Sequence, residues 1–202
     1  MFKTIQSLVL ASESPRRKEL LVRLGIEFLV DPSRIDESAD CSGVGGAGKS
    51  PAEIAETCAR FKAGSISALH PDSWILGADT IVVLDGRIFG KPSGRAEAVE
   101  MLQALSGRVH EVITGMCLIG PGGKLRRKDS VATRVFFKDL SPGEIEAYAG
   151  SAEPIDKAGA YGIQGMGAFL VRSVEGSYTN VVGLPLCQTI EWLIAENIIE
   201  PE

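Results

Sequence analysis

The stretch "GVGGAGKS", Gly43 to Ser50, matches the phosphate-loop pattern G-x-x-x-x-G-K-[ST] at every position. Taken literally, it makes the chain a P-loop NTPase with Lys49 on the phosphates. Such a loop must run from a buried strand into a helix whose first amides hold the anion. The helix half is present: Ser50 can cap, Pro51 suits the first turn, and "AEIAETCARFKA" has helical spacing. The strand half is not. Upstream lies "RIDESADCS", polar and acidic, without a run of four apolar residues. Pro51 also removes an amide from the turn that would need donors. The stretch therefore reads as a glycine-rich surface loop, and the chemistry must lie elsewhere.

The 202 residues, 45% of them hydrophobic, suffice for one large domain or two closely packed lobes. A net charge of −5 gives no global basic field, so broad nucleic-acid binding is not expected and an anionic substrate would need a local cluster of Lys and Arg. Cys41, Cys58, Cys117 and Cys187 are scattered, which suits neither a zinc site nor a disulfide framework. "LVLA" is too short for a signal segment, and no run approaches the roughly 18 apolar residues of a membrane span. A reducing cytoplasm is the expected setting.

Strand and helix signals alternate outward from the loop. "SLVLAS" reads as a buried strand, and "SPRRKELLVRLG" as a helix with Ser14 as cap, Pro15 first and Gly25 as stop. "IEFLVDPS" reads as the next strand. After the helix Pro51–Ala63, "WILGADTIVVLDG" reads as two apolar runs broken at Gly77-Ala78-Asp79. "SGRAEAVEMLQALSG" is a helix with Ser93 capping. "RVHEVITGMCLIG" and "DSVATRVFFKDL" pair across the "PGGK" turn, and Ser141 with Glu144 forms a capping box. A strand at "GAFLVRSV" and a helix from Pro185 close the chain. The pattern is α/β with a mixed sheet.

Some residues exceed what a fold needs. "ASESPRR" puts Arg16 and Arg17 in the first turn of a helix, where the dipole disfavours cations; with free amides and two serine hydroxyls they make an anion pocket, unless both are merely solvated. Asp79 follows an apolar strand, where ligands commonly sit in α/β sheets, although an Asp there can also start a turn. Lys91 in "FGKP" is an isolated cation, and Lys62 stands near a helix end that favours a lysine anyway. "EPIDKAGAYGIQG" concentrates Asp156, Lys157, Tyr161 and Gln164 among Gly159, Gly162 and Gly165. Glycines so close-set let backbone approach a ligand, or form a tight irregular loop, and a glutamine among them can read a base edge. His70 and His110 are assigned to no chemistry.

Taken in order, "LASESPRRKELL", "GADTIVVLDGRIFGKP", "LSGRVHEVITG", "DKAGAYGIQGMGAFLV" and "GSYTNVVGLPL" resemble the Maf-like nucleotide pyrophosphatases, also called septum-formation inhibitor proteins. The resemblance runs from about Leu8 to Leu193. It implies a single domain, 1–202, with a mixed, curved sheet flanked by helices and two lobes around a cleft, Maf/ITPase-like, with residues 40–50 a variable loop. It also implies cleavage of a nucleoside triphosphate between the α- and β-phosphates, with a divalent cation, Mg²⁺ or Mn²⁺. "DKAGAYGIQG" resembles the dTTP/UTP branch rather than the 7-methyl-GTP branch. By the match, Asp79 is the proton acceptor, and Arg16, Thr80 and Gln164 set specificity. Ser12, Arg17, Glu37, Lys62, Lys91 and Lys157 match polar cleft positions, Asp79 and Glu37 hold the metal, and Asp36 competes with Glu37 for its place. Asp156 shares the motif without a clear role. The resemblance further implies a homodimer. Against it stand a P-loop NTPase using Gly43–Ser50, and a non-catalytic regulator of cell division.

Overall fold

The computed structural model describes residues 1–33 and 48–202. In chain order the elements are β1 (Phe2–Thr4), β2 (Leu8–Leu10), α1 (Pro15–Val22), β3 (Leu29–Val30), α2 (Pro51–Gly64), β4 (Trp74–Leu84), β5 (Arg87–Phe89) and α3 (Arg95–Leu105). They continue with β6 (Val109–Gly120), β7 (Lys124–Phe137), α4 (Pro142–Ala149), β8 (Val171–Glu175), α5 (Tyr178–Val182), α6 (Leu186–Ala195) and β9 (Ile199–Pro201). Among the described residues the main sheet has the order β3-β2-β4-β6-β7-β8, with β5 added against β4, while β1 pairs with β9. β2 lies parallel to β3 and β4, whereas β4–β5 and β7–β8 are antiparallel. The sheet is therefore mixed and flanked by helices, as the alternating signals predicted. Among the described residues no helix is long and apolar enough to cross a membrane. Cys58 and Cys117 are buried free thiols and Cys187 is exposed; Cys41 lies outside the described residues.

The chain divides into two compact units. The first comprises Met1–Asp79, Thr114–Val131 and Gly183–Glu202; the second comprises Thr80–Ile113 and Ala132–Val182. In the first unit, Val9, Ala11, Ala59, Ala63, Ile66, Ile75, Cys117 and Ile119 form one apolar cluster. Its notable economy of volume is on α2, whose inward residues are Ala55, Cys58, Ala59, Lys62 and Ala63, spaced three and four apart. Small side chains let this helix lie directly on the sheet. A Cβ placed on Gly77 of β4 would stand 2.4 Å from the Ala59 carbonyl oxygen, and one on Gly115 of β6 would stand 2.2 Å from the Ala55 carbonyl carbon. In the second unit, α3 and α4 press Leu102, Leu105, Ile145 and Tyr148 into a larger core with Val82, Phe89, Val135 and Phe137.

Four local readings change. β4 runs unbroken through Gly77-Ala78-Asp79, because Gly77 provides room for α2 rather than a turn. Ser14 occupies the cap position of α1, but its side chain makes no capping bond. Ser93 lies one residue too early to cap α3: Gly94 is the cap, and the Ser93 N–H and hydroxyl each donate to Glu97 Oε2 at 2.7 Å. The "GAFL" half of the expected last strand is part of a 3-10 helix, Gly165–Leu170, and extended backbone starts only at Val171. The Ser141–Glu144 capping box forms as read.

Candidate active site

In the first unit, the parallel register pairs Leu10 with Leu76, and Ala11 extends the ladder by donating to the Leu76 carbonyl at 2.9 Å. The chain then turns at Ser12 into α1, just past the carboxyl end of β2, where α/β folds commonly place their ligands. Ser12 is buried. Its Oγ accepts from Arg17 Nη1 at 2.9 Å and from the Ser14 N–H at 3.3 Å. Arg17 is also buried and donates through Nε to the Gly183 carbonyl at 2.7 Å. Arg17 thus fastens the turn before α1 to the residue that directly follows α5. Arg16, one position earlier, is half-buried in the same first turn.

Lys62 and Asp79 come together. Lys62 lies on the inward stripe of α2, and its Nζ donates to Asp79 Oδ1 at 2.6 Å, with the side chains 6% and 15% exposed. An ammonium on the apolar face of a helix is costly unless it meets an anion. Asp79 supplies that anion and is held in one orientation by it. Thr80 follows Asp79 on β4 and is half-buried.

In the second unit, Lys91 is exposed and follows Gly90, whose carbonyl accepts the Gly159 N–H at 3.0 Å. This bond ties the backbone beside Lys91 to the loop of residues 156–165. Lys157 donates to the Glu153 carbonyl and to Asp156 Oδ1, both at 2.6 Å. Ala160 has φ 58, a left-handed conformation that costs a non-glycine residue about 1–2 kcal/mol. Next to it Tyr161 is buried and shares a 2.8 Å hydrogen bond with His110 Nε2. Gln164 is half-buried and stands at the start of the Gly165–Leu170 helix.

Two residues here carried no sequence signal. The Glu153 carboxylate accepts from the N–H groups of Met166 at 3.0 Å and Gly167 at 2.9 Å, and from the Tyr148 hydroxyl at 3.0 Å. Burial pushes its pKa up, but the two amides, the phenol and nearby Lys157 together hold it below the ordinary carboxylate range. Tyr148 Oη in turn accepts the Gly162 N–H at 3.2 Å. The loop amides lie 13 and 14 residues from Glu153 and 14 from Tyr148, so no local pattern announces them.

The end of "GVGGAGKS" is also resolved in chemical terms. Ser50 caps α2 in a reciprocal box: its N–H and hydroxyl donate to Glu53 Oε2 at 2.8 and 2.9 Å. These bonds from the Ser50 backbone and hydroxyl hold the Glu53 carboxylate below its usual range. A carboxylate therefore occupies the donors that a P-loop would turn on phosphate. Residues 43–47, and Glu37 with Asp36, lie outside the described residues. Among the described residues no three His, Cys, Asp or Glu side chains cluster as a metal site.

The sequence profile described as "Maf-like protein" matches residues 7–196. A protein of Moorella thermoacetica named dTTP/UTP pyrophosphatase is 50% identical over 193 residues, covering 94% of both chains. Proteins of the same name from Syntrophus aciditrophicus (48% identical, 93% of this chain and 89% of that one) and Desulfotalea psychrophila (44%, 98% and 99%) are also similar. A crystal structure of a nucleoside-triphosphatase / dITP/XTP pyrophosphatase from Mycobacterium abscessus aligns with 95% of this chain and 94% of its own at 13% identity. Its TM-score of 0.44 is too low to bear on function.

Proposed function

This chain belongs to the Maf-like protein family, and from that premise we propose that it hydrolyses dTTP and UTP to the monophosphate and pyrophosphate. The observation that carries the mechanism is the Lys62–Asp79 pair, a carboxylate held at one oxygen by a buried ammonium. Asp79 accepts a proton from the attacking water as the water oxygen bonds to the α-phosphorus. The bond from the α-phosphorus to the bridging oxygen breaks, and its electron pair leaves with pyrophosphate. Lys62 holds Asp79 Oδ1, so the other oxygen faces the water in a fixed orientation. Arg16, Lys91 and Lys157 offset the phosphate charge, Arg17 fixes Ser12 as a hydroxyl partner, and Thr80 and Gln164 contact the nucleoside. Gln164 carries both a donor and an acceptor for the N3 and O4 edge of a pyrimidine.

The family resemblance implies a divalent cation, Mg²⁺ or Mn²⁺, and of its two expected carboxylates only Asp79 lies among the described residues. Such ions take one or two carboxylates and complete their shell with substrate phosphate and water, and Asp79 with Glu37 would supply the carboxylates. When bound, it would neutralise developing charge on the phosphates. The family resemblance also supports a homodimer, while the net charge of −5 and the scattered cysteines support a cytoplasmic protein that binds neither nucleic acid nor membrane.

The test is a panel of nucleoside triphosphates assayed for pyrophosphate and orthophosphate with Mg²⁺ or Mn²⁺. Pyrophosphate from dTTP and UTP, undiminished by Lys49→Ala, is expected. Orthophosphate release that depends on Lys49 would instead favour a P-loop enzyme, and no hydrolysis at all a non-catalytic regulator.

A further inference from the structure

Glu153 and Tyr148 form a bracket around Gln164. Upstream of the glutamine, the Gly162 N–H is held by Tyr148 Oη at 3.2 Å; downstream, the Met166 and Gly167 N–H groups are held by the two oxygens of Glu153 at 3.0 and 2.9 Å. The Tyr148 hydroxyl donates to Glu153 Oε1 at 3.0 Å and closes the ring between the two anchors. Tyr148 itself is seated in the core of the second unit by α4, so the ring is referred to a rigid element.

The glycines of "GIQGMG" serve this bracket. A Cβ on Gly165, which has φ +72, would stand 2.8 Å from Glu153 Oε2. One on Gly167 would stand 2.4 Å from the Gly162 carbonyl oxygen and 2.5 Å from Tyr148 Oη, and one on Gly162 would stand 2.7 Å from Lys157 Cε. The missing side chains are thus replaced by the carboxylate, the phenol and the lysine stem, rather than reserved for a ligand. With three donors on its two oxygens, the Glu153 carboxylate is committed to this frame and is not offered as a base.

From this geometry we infer that Glu153, with Tyr148, is the positioning residue that sets base selection by holding the Gln164 backbone in one place. The inference rests on the proposed pyrophosphatase activity. A glutamine amide presents a donor and an acceptor side by side and exchanges them on a half-turn. It distinguishes a uracil or thymine edge from a cytosine edge only when the chain carrying it is fixed. The same Glu153 offers its main-chain carbonyl to Lys157, so one residue orders both the base reader and a neighbouring cation.

The experiment compares wild type, Glu153→Gln, Tyr148→Phe, Gln164→Ala and the double variant E153Q/Q164A, assayed for pyrophosphate release from dTTP, UTP, CTP and ATP. E153Q puts an amide NH₂ against backbone N–H groups. It should raise KM for dTTP and UTP and lower the UTP-over-CTP preference by roughly tenfold to a hundredfold, with kcat changed far less. Q164A should lose preference to a similar degree, and E153Q should take no further preference away once Gln164 is gone. Y148F, which lacks one oxygen, carries the same comparison should E153Q fail to show the wild-type unfolding transition. Unchanged preference in an active E153Q or Y148F overturns the inference, as does a further loss of preference in the double variant. A wild type that releases no pyrophosphate from any nucleotide overturns the underlying activity, and this inference with it.

Discussion

The two units hold their polar residues by different means. In the first, Lys62 reaches Asp79 because a helix of small residues rests on the bare backbone of Gly77 and Gly115, with no side-chain flexibility between them. In the second, Gln164 and Lys157 sit on an irregular loop whose shape is imposed by hydrogen bonds to one carboxylate and one phenol. Packing of the first kind suits a group that must keep one orientation throughout a reaction, such as a proton acceptor. A hydrogen-bonded loop suits recognition, where exchanging a few residues retunes the site without disturbing the core.

If that division is right, substitutions in the two units should move different kinetic constants. Asp79→Asn should lower turnover about 10³-fold while nucleotide binding stays measurable by titration, since removing a general base costs roughly 10²–10⁴. Retained turnover would take Asp79 out of the mechanism. A loss confined to KM would erase the contrast with the Gln164 loop.

A smaller effect separates the two kinds of glycine. Gly77→Ala forces a methyl group against the Ala59 carbonyl and should cost about 3 kcal/mol, or roughly 6–12 °C in Tm. Gly143→Ala, in the second unit on α4 with nothing within 4 Å of the added carbon, should be neutral or stabilising by up to about 1 kcal/mol. Scanning calorimetry of both variants gives the comparison directly. Equal shifts would mean that α2 has room to retreat from the sheet.

The smallest prediction concerns acid. Burial lowers the His110 pKa from 6.5 to about 4, and its Nδ1 has no hydrogen-bond partner. The unfolded chain therefore takes up a proton before the folded one does. The stability His110 contributes is full above about pH 6.5 and declines as the pH falls to about 4, by about 3 kcal/mol at most. Denaturant unfolding of wild type and His110→Gln at pH 7 and pH 5 should show a steeper acid loss in wild type. Parallel curves would show that this histidine is proton-accessible in the folded state. Its Tyr161 partner belongs to the Gln164 loop, so the acid loss should loosen the second unit first.

How legible was this in the sequence? The alternation of strand and helix signals, the Ser50 cap, the Ser141–Glu144 capping box and the closing helix were local patterns, and they formed where read. Lys62 was legible but weighed wrongly. Taken as a lysine favoured by a helix end, it in fact completes the series Ala55, Cys58, Ala59, Lys62, Ala63, a charge on an apolar stripe that requires a buried partner. Gly77 was read as a strand break, because glycine spacing alone does not distinguish a turn from a surface cleared for another helix. Glu153 was not legible at all. Its partners follow it by 13 and 14 residues, and their need for an acceptor arises only once the loop has closed. The phosphate-loop pattern shows the opposite failure, since a match at all four of its fixed positions could not reveal that Glu53 already satisfies the Ser50 donors.

The contact of α2 with Gly77 and Gly115 fixes more than a distance. Where two main chains touch, their spacing is set by bonded geometry rather than by rotamers, so it cannot be adjusted in small steps by swapping one aliphatic residue for another. Drift in this part of the sequence should accordingly be all-or-nothing: alanine and glycine persist together, or the ammonium leaves its carboxylate. An engineer seeking a hardier protein would gain little by enlarging this interface and should direct cavity-filling changes to the Leu102–Val135 core instead.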